Sequence, residues 1–194
     1  VYPIGLAYLA AHLDGHEVDI FDINLHRNDP FDALAARLEA FQPEVVGISL
    51  RNMKVGMPNL HTDDFAPQQE TVEAIKAWRP SIKVLAGGTA FSLYAEAMMS
   101  RLPGIDIGMW GEAEQRLPQL LEDLEHPERV PGVYYRADGE VHFTGPPPQV
   151  DFAALRRPRR DLVVHQPYLE SSFVSVGVQS KRGCTPTLTK ELSR

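Results

Sequence analysis

The sequence predicts an α/β fold: a Rossmann-like, doubly wound, mostly parallel sheet with flanking helices, a C-terminal hairpin and a linker. Three observations predict it. Short apolar runs alternate with segments of helical period. One of those runs, Val45–Leu50 (VVGISL), is a continuous apolar run, as suits a strand covered on both faces, and Ile82–Ala86 (IKVLA) reads as another strand. Glycines or polar loops then follow the runs, where a strand hands over to a helix.

Each element has its own signal. Pro3 suits the first turn of a helix, and Leu6, Leu9, Ala10 and Leu13 follow at helical spacing until Asp14-Gly15. Glu17–Asp22 (EVDIFD) alternates polar and apolar residues and reads as a short strand. Asp29 is placed to cap a second helix, with Pro30 just inside it and Phe31, Leu34, Leu38 and Phe41 as its apolar face. After VVGISL comes a long polar segment, Arg51–Pro67, whose length points to a binding loop. Glu70–Trp78 reads as helix, IKVLA as strand and Phe91–Leu102 as helix. A short strand over Ile105–Trp110 follows, then a helix over Glu112–Leu124. Gly132–Phe143 reads as a hairpin turning at Asp138-Gly139.

Composition changes after residue 144. Three consecutive prolines and the cluster Arg156, Arg157, Arg159 and Arg160 indicate an extended linker over 145–172. Phe173–Val178 is one more apolar run beyond it. The expected organisation is therefore a ligand-binding domain over 1–144, a linker over 145–172 and the start of a second domain over 173–194.

The chain has 194 residues and a net charge of −7. That balance argues against nucleic acid as a general partner, which requires a basic face. No apolar stretch approaches the length needed to span a membrane. A single cysteine, Cys184, allows no internal disulfide, and a reducing cytoplasm is the expected setting.

In an open α/β sheet, ligands bind at the carboxyl ends of the strands. Those ends supply the candidate residues: Ser49, Leu50 and Arg51 after the VVGIS run, Gly87, Gly88 and Thr89 after IKVLA, and Gly111, Glu112 and Glu114 after DIGMW. Paired glycines allow positive φ and close approach of a bulky ligand, or they merely make the strand-to-helix turn. Gly88→Val is expected to lower ligand affinity more than stability. Glu112 and Glu114 are expected to open a helix, where carboxylates complement its dipole. No Walker A loop, no G-x-G-x-x-G after a strand and no nucleophile elbow is present.

Taken in order, PIGLAYLAAHL, EVDIFD, PEVVGIS, VLAGGTAF, GIDIGMWGEAEQRLPQLL, the hairpin, VDFAALRRPRRDL and a closing SKRGC resemble the B12-binding radical S-adenosylmethionine (SAM) enzymes over nearly all of residues 3–184. The resemblance implies that residues 1–144 bind cobalamin, with the nucleotide tail entering near the strand ends. It places Ser49 and Leu50 in the serine-containing loop after the third strand, and Gly87 and Gly88 at the Gly-Gly turn beside the tail. Gly111, Glu112 and Glu114 fall in the family's G-E-x-E segment. Intact relatives also carry a 4Fe-4S cluster and SAM, and commonly transfer methyl groups.

Two departures accompany the resemblance. The family's first strand, which precedes the PIGLAYLAA helix, is absent, so strand edges should be exposed. In the cluster motif C-x-x-x-C-x-x-C, Cys184 fits the first position, while Leu188 and Glu191 stand at the other two. Cys184 is thus the one metal candidate, the first ligand of an incomplete iron–sulfur motif. The expected function is cobalamin binding without catalysis by this chain. The alternatives are a non-enzymatic flavodoxin-like interaction or signalling domain, and a different small-molecule enzyme of doubly wound type.

Overall fold

A computed structural model of the chain describes residues 2–51 and 65–170. Most of the long loop after Arg51, the Phe173–Val178 run and Cys184 lie outside the described residues. Five strands form one sheet in sequential order: β1 (Val45–Ser49), β2 (Lys83–Gly87), β3 (Ile107–Met109), β4 (Val133–Ala137) and β5 (Glu140–Phe143). β1, β2 and β3 are parallel, whereas β4 and β5 form a hairpin antiparallel to β3. The expected α/β, Rossmann-like sheet with a terminal hairpin is present.

Helices fill the crossovers. α1 (Ile4–Ala10) and α2 (Pro30–Phe41) precede the sheet, α3 (Ala66–Trp78) joins β1 to β2, and α4 (Thr89–Arg101) joins β2 to β3. α5 (Leu117–Glu122) follows β3. Successive side chains of β2 point to opposite faces of the sheet, and Val84, Leu85 and Ala86 are buried on both. Val84 packs with Leu34 and Leu38 of α2 and Ile75 of α3, and Ala86 packs under Phe91, Met98 and Met99 of α4. Leu85 faces the other way, against Ile107, Leu120 and Val133. Phe91, Ile75, Met98 and Met99 are fully buried, and such side chains contribute about 2 kcal/mol each through burial.

Two sequence expectations are corrected. Glu17–Asp22 is not a strand. Its alternation reflects a half-buried segment: Phe21 packs on the α2–α3 cluster and Asp19 pairs with Arg37 of α2. A strand also needs a ladder partner, and β1 pairs only with β2 among the described residues. β1 is accordingly a sheet edge, and none of its five residues is fully buried, against three of five in β2.

The helix expected over Glu112–Leu124 is confined to Leu117–Glu122. Pro118 sits in its first turn, and the residues before it are held in turns by Arg116, described below. Glu112 and Glu114 therefore do not open a helix.

The hairpin turn is where the sequence places it. Asp138 and Gly139 both have positive φ, +52° and +82°, the geometry a two-residue turn of matching twist requires. The chain divides into two compact units. The first is Pro3–Val163, in which the proline-rich stretch runs with Val150 and Val163 buried. Within it Arg159 donates its amide to Ala7 O at 2.8 Å, and Arg156 pairs with Asp14 at 2.6 Å. In the second unit Tyr2 is hydrogen-bonded to His165 at 3.0 Å and packs edge-on against Tyr168 of α6 (Gln166–Leu169).

Candidate functional site

The carboxyl ends of β1, β2 and β3 lie side by side because the strands are parallel and in register, with Ser49 opposite Gly87. The end of β2 is bonded directly to the loop leaving β1. Leu50 donates its amide to Gly87 O at 2.8 Å, and Ala90 donates its amide to Leu50 O at 2.9 Å. Ser49, Leu50, Gly87, Gly88 and Thr89 are thus brought together at one rim. Ser49, Arg51 and Thr89 are exposed there, and Leu50, Gly87 and Gly88 are half-buried.

The two glycines have different reasons for being glycine. Gly88 has φ +97° and ψ 176°, a region open essentially to glycine alone. A Cβ on it would lie 2.6 Å from Leu50 O. Gly87 has no such constraint: a Cβ there would make ordinary contacts with Met109, to its O at 3.7 Å and its Cβ at 3.9 Å. Gly88 builds the rim, whereas Gly87 lies on it without a conformational or steric need for glycine.

The third strand end is tied in by residues that the sequence did not single out. Ser92 of α4 donates its hydroxyl to Gly88 O at 3.0 Å and accepts the Gly111 amide at 2.9 Å. Trp110 donates its indole N–H to Ser92 O at 2.8 Å. That carbonyl lies just before Tyr94, whose φ of −129° kinks α4. The kink leaves Leu93 71% and Tyr94 41% exposed beside the rim.

Arg116 fixes the Gly111–Glu114 segment. It is 4% exposed, and its guanidinium donates to Trp110 O at 2.7 Å, Glu112 O at 2.6 Å and Pro131 O at 2.6 Å. Burial pushes its pKa down, against the opposing pull of Glu112 and Glu114. Glu112 is exposed at this edge, and Glu114 is buried. The arginine three residues beyond G-E-A was the available signal, but its carbonyl partners come from two separate segments. Among the described residues no cluster of three or more His, Cys, Asp or Glu side chains could hold a metal ion, and no helix is long and apolar enough to cross a membrane. Cys184 lies outside the described residues.

A family model of the B12 binding domain matches residues 1–121, which is more than half of the chain. The chain belongs to the B12-binding domain family. An uncharacterized methyltransferase of Pyrococcus horikoshii is 26% identical over 187 residues, covering 94% of this chain and 38% of that protein. Among solved structures, a radical S-adenosylmethionine methyltransferase, TsrM from Kitasatospora setae, with cobalamin and a 4Fe-4S cluster bound, matches with a TM-score of 0.68 at 21% identity. The match covers 81% of this chain and 28% of that one. The chain thus spans well under half the length of both proteins.

The rim suits cobalamin chemically. Cobalt comes enclosed in its corrin ring, so the protein need not supply a cluster of metal ligands. What it must offer is backbone approach and hydrogen bonds to the nucleotide tail and amide arms. The structure has hydroxyls at Ser49 and Thr89, an open backbone at Gly87 and the N-terminal end of α4 at one edge.

Proposed function

We propose that this B12-binding domain holds cobalamin across the carboxyl ends of β1, β2 and β3, and serves as the cobalamin-carrying part of a radical SAM methyltransferase. The observation that carries the reading is the rim itself. Three parallel strand ends are locked together by Leu50 and Ser92, and accessible hydroxyls and an unobstructed glycine are left along them. Ser49 and Thr89 would hydrogen-bond the nucleotide tail, with the α4 N-terminus favouring its phosphate. Gly87 and Gly88 would let the backbone lie against it. Leu50 and Arg51 would border the same loop, with the Arg51 guanidinium placed to meet polar arms. Gly111, Glu112 and Glu114 would form the third edge, with Glu112 in reach of amide groups and Glu114 supporting the turn from inside. Bound cobalamin supplies a cobalt-centred carrier for methyl groups.

Methyl transfer, the 4Fe-4S cluster and SAM are carried into this proposal by the names of the two relatives, and Cys184 is the residue that would begin the cluster motif. One cysteine and a net charge of −7 support a reducing, cytoplasmic setting and a partner other than nucleic acid. Equilibrium dialysis of the purified chain against hydroxocobalamin and flavin mononucleotide tests the reading. Retention of cobalamin and not of flavin is expected. Retention of flavin and not of cobalamin would refute it.

A further inference from the structure

The free edge of the sheet has a definite hydrogen-bonding pattern. Leu50 donates to Gly87 O and accepts from the Ala90 amide, so its backbone groups face β2. Strand backbones alternate sides, so Ile48 and Val46 face β2 as well. Val45, Gly47 and Ser49 therefore turn their N–H and C=O groups outward. These outward groups have no hydrogen-bond partner among the described residues. A row of unpaired backbone donors and acceptors is a template for another strand.

Natural sheets guard such edges with charge, proline or a bulge. The opposite edge strand, β5, is four residues long and carries Glu140 and His142. β1 has no such guard. Its sequence is VVGIS, its register with β2 runs without a bulge, and none of its residues is fully buried. Gly47, at its centre, is exposed, and a Cβ there would meet nothing within 4 Å.

We propose that β1 pairs antiparallel with β1 of a second copy of this chain, joining two sheets across a two-fold axis at Gly47. The outward pattern is its own complement, as a two-fold interface requires. With Gly47 opposite Gly47, the two glycines exchange both of their N–H···O=C bonds. Val45 does the same with Ser49 of the other copy, and Ser49 with Val45. A slip of two residues would leave one outward residue of each strand unpaired, so the register is specified. In this register Val46 stands beside Ile48 of the other copy, an apolar pair of β-branched side chains, and no like charges are opposed. The pairing does not depend on cobalamin, and its test needs no cofactor.

Sedimentation velocity of the full 194-residue chain, over about a hundredfold range of concentration, reads the assembly by mass action. A monomer giving way to a dimer is expected, with the amides at 45–49 exchanging more slowly with deuterium as concentration rises. Gly47→Pro removes the central outward N–H and leaves every bond to β2, a place where an edge strand accepts proline. Gly47→Lys keeps that N–H, has open space for its side chain, and sets two ammonium groups opposite each other at the axis. Each should weaken dimerisation by about tenfold or more. Gly47→Thr, a strand-forming residue without charge, should dimerise like the parent. Melting curves of dilute samples show which variants are folded, and the lysine variant decides the matter if the proline variant is not. A parent that stays monomeric, larger assemblies in place of a dimer, or an unchanged dimer in folded Gly47→Lys would each overturn the proposal.

Discussion

Gly88→Ala puts the construction of the strand-end rim to a quantitative test. Two effects add at this position. The backbone, at φ +97° and ψ 176°, is strained for any residue with a Cβ, by about 1–3 kcal/mol. The new Cβ would also lie 2.6 Å from Leu50 O and 3.0 Å from Leu50 N, so the backbone of residue 50 must move. That backbone makes two hydrogen bonds, to Gly87 O and from the Ala90 amide, each contributing about 1 kcal/mol. The sum is roughly 3–5 kcal/mol, which for a protein of this size lowers the melting temperature by about 6–20 °C. Gly139→Ala is the control. Gly139 has φ +82° with nothing within 4 Å of a Cβ, so only backbone strain of about 1–2 kcal/mol applies. Gly87→Ala should be nearly neutral, since its Cβ has ordinary contacts. Thermal melts followed by circular dichroism would rank the three. A Gly88→Ala protein no less stable than Gly139→Ala would refute the reasoning. The same melts, run beside a cobalamin titration of Gly88→Val, test the sequence expectation that a side chain at Gly88 lowers affinity more than stability.

Three further outcomes are expected. Arg116→Met should lose about 2–4 kcal/mol in urea denaturation, because carbonyls of Trp110, Glu112 and Pro131 lose their shared donor. Ser92→Ala should lower stability by about 1 kcal/mol and weaken hydroxocobalamin binding, read by visible absorbance, as the Gly111 amide loses its Ser92 acceptor and Gly88 O its Ser92 donor. Anaerobic reconstitution of the chain with iron and sulfide should give no 4Fe-4S signal in electron paramagnetic resonance, since one thiolate cannot replace three.

Much of the sheet was legible because its signals are local. VVGIS and IKVLA are short, mainly apolar and β-branched runs, so their strand character follows from composition, and Asp138-Gly139 specifies its turn by the φ values it tolerates. The failures share a cause. EVDIFD alternates correctly, but a strand is defined by what lies beside it, and periodicity carries no information about that neighbour. Residues 112–116 have helix-forming composition, yet Arg116 draws its carbonyl partners from residues 110, 112, 131 and 132, an arrangement set by tertiary contacts. The site shows the same division. Gly88 and Ser49 could be found from their place after apolar runs, whereas Ser92 acts through two strand ends that only the fold brings together.

Hydrogen–deuterium exchange with and without hydroxocobalamin tests the placement of the cofactor most directly. If the strand-end rim holds it, protection should appear at 47–51, 87–92 and 110–116, while the β4–β5 turn at Asp138-Gly139 is unchanged. Bound cobalamin with no added protection in those three segments would contradict the account.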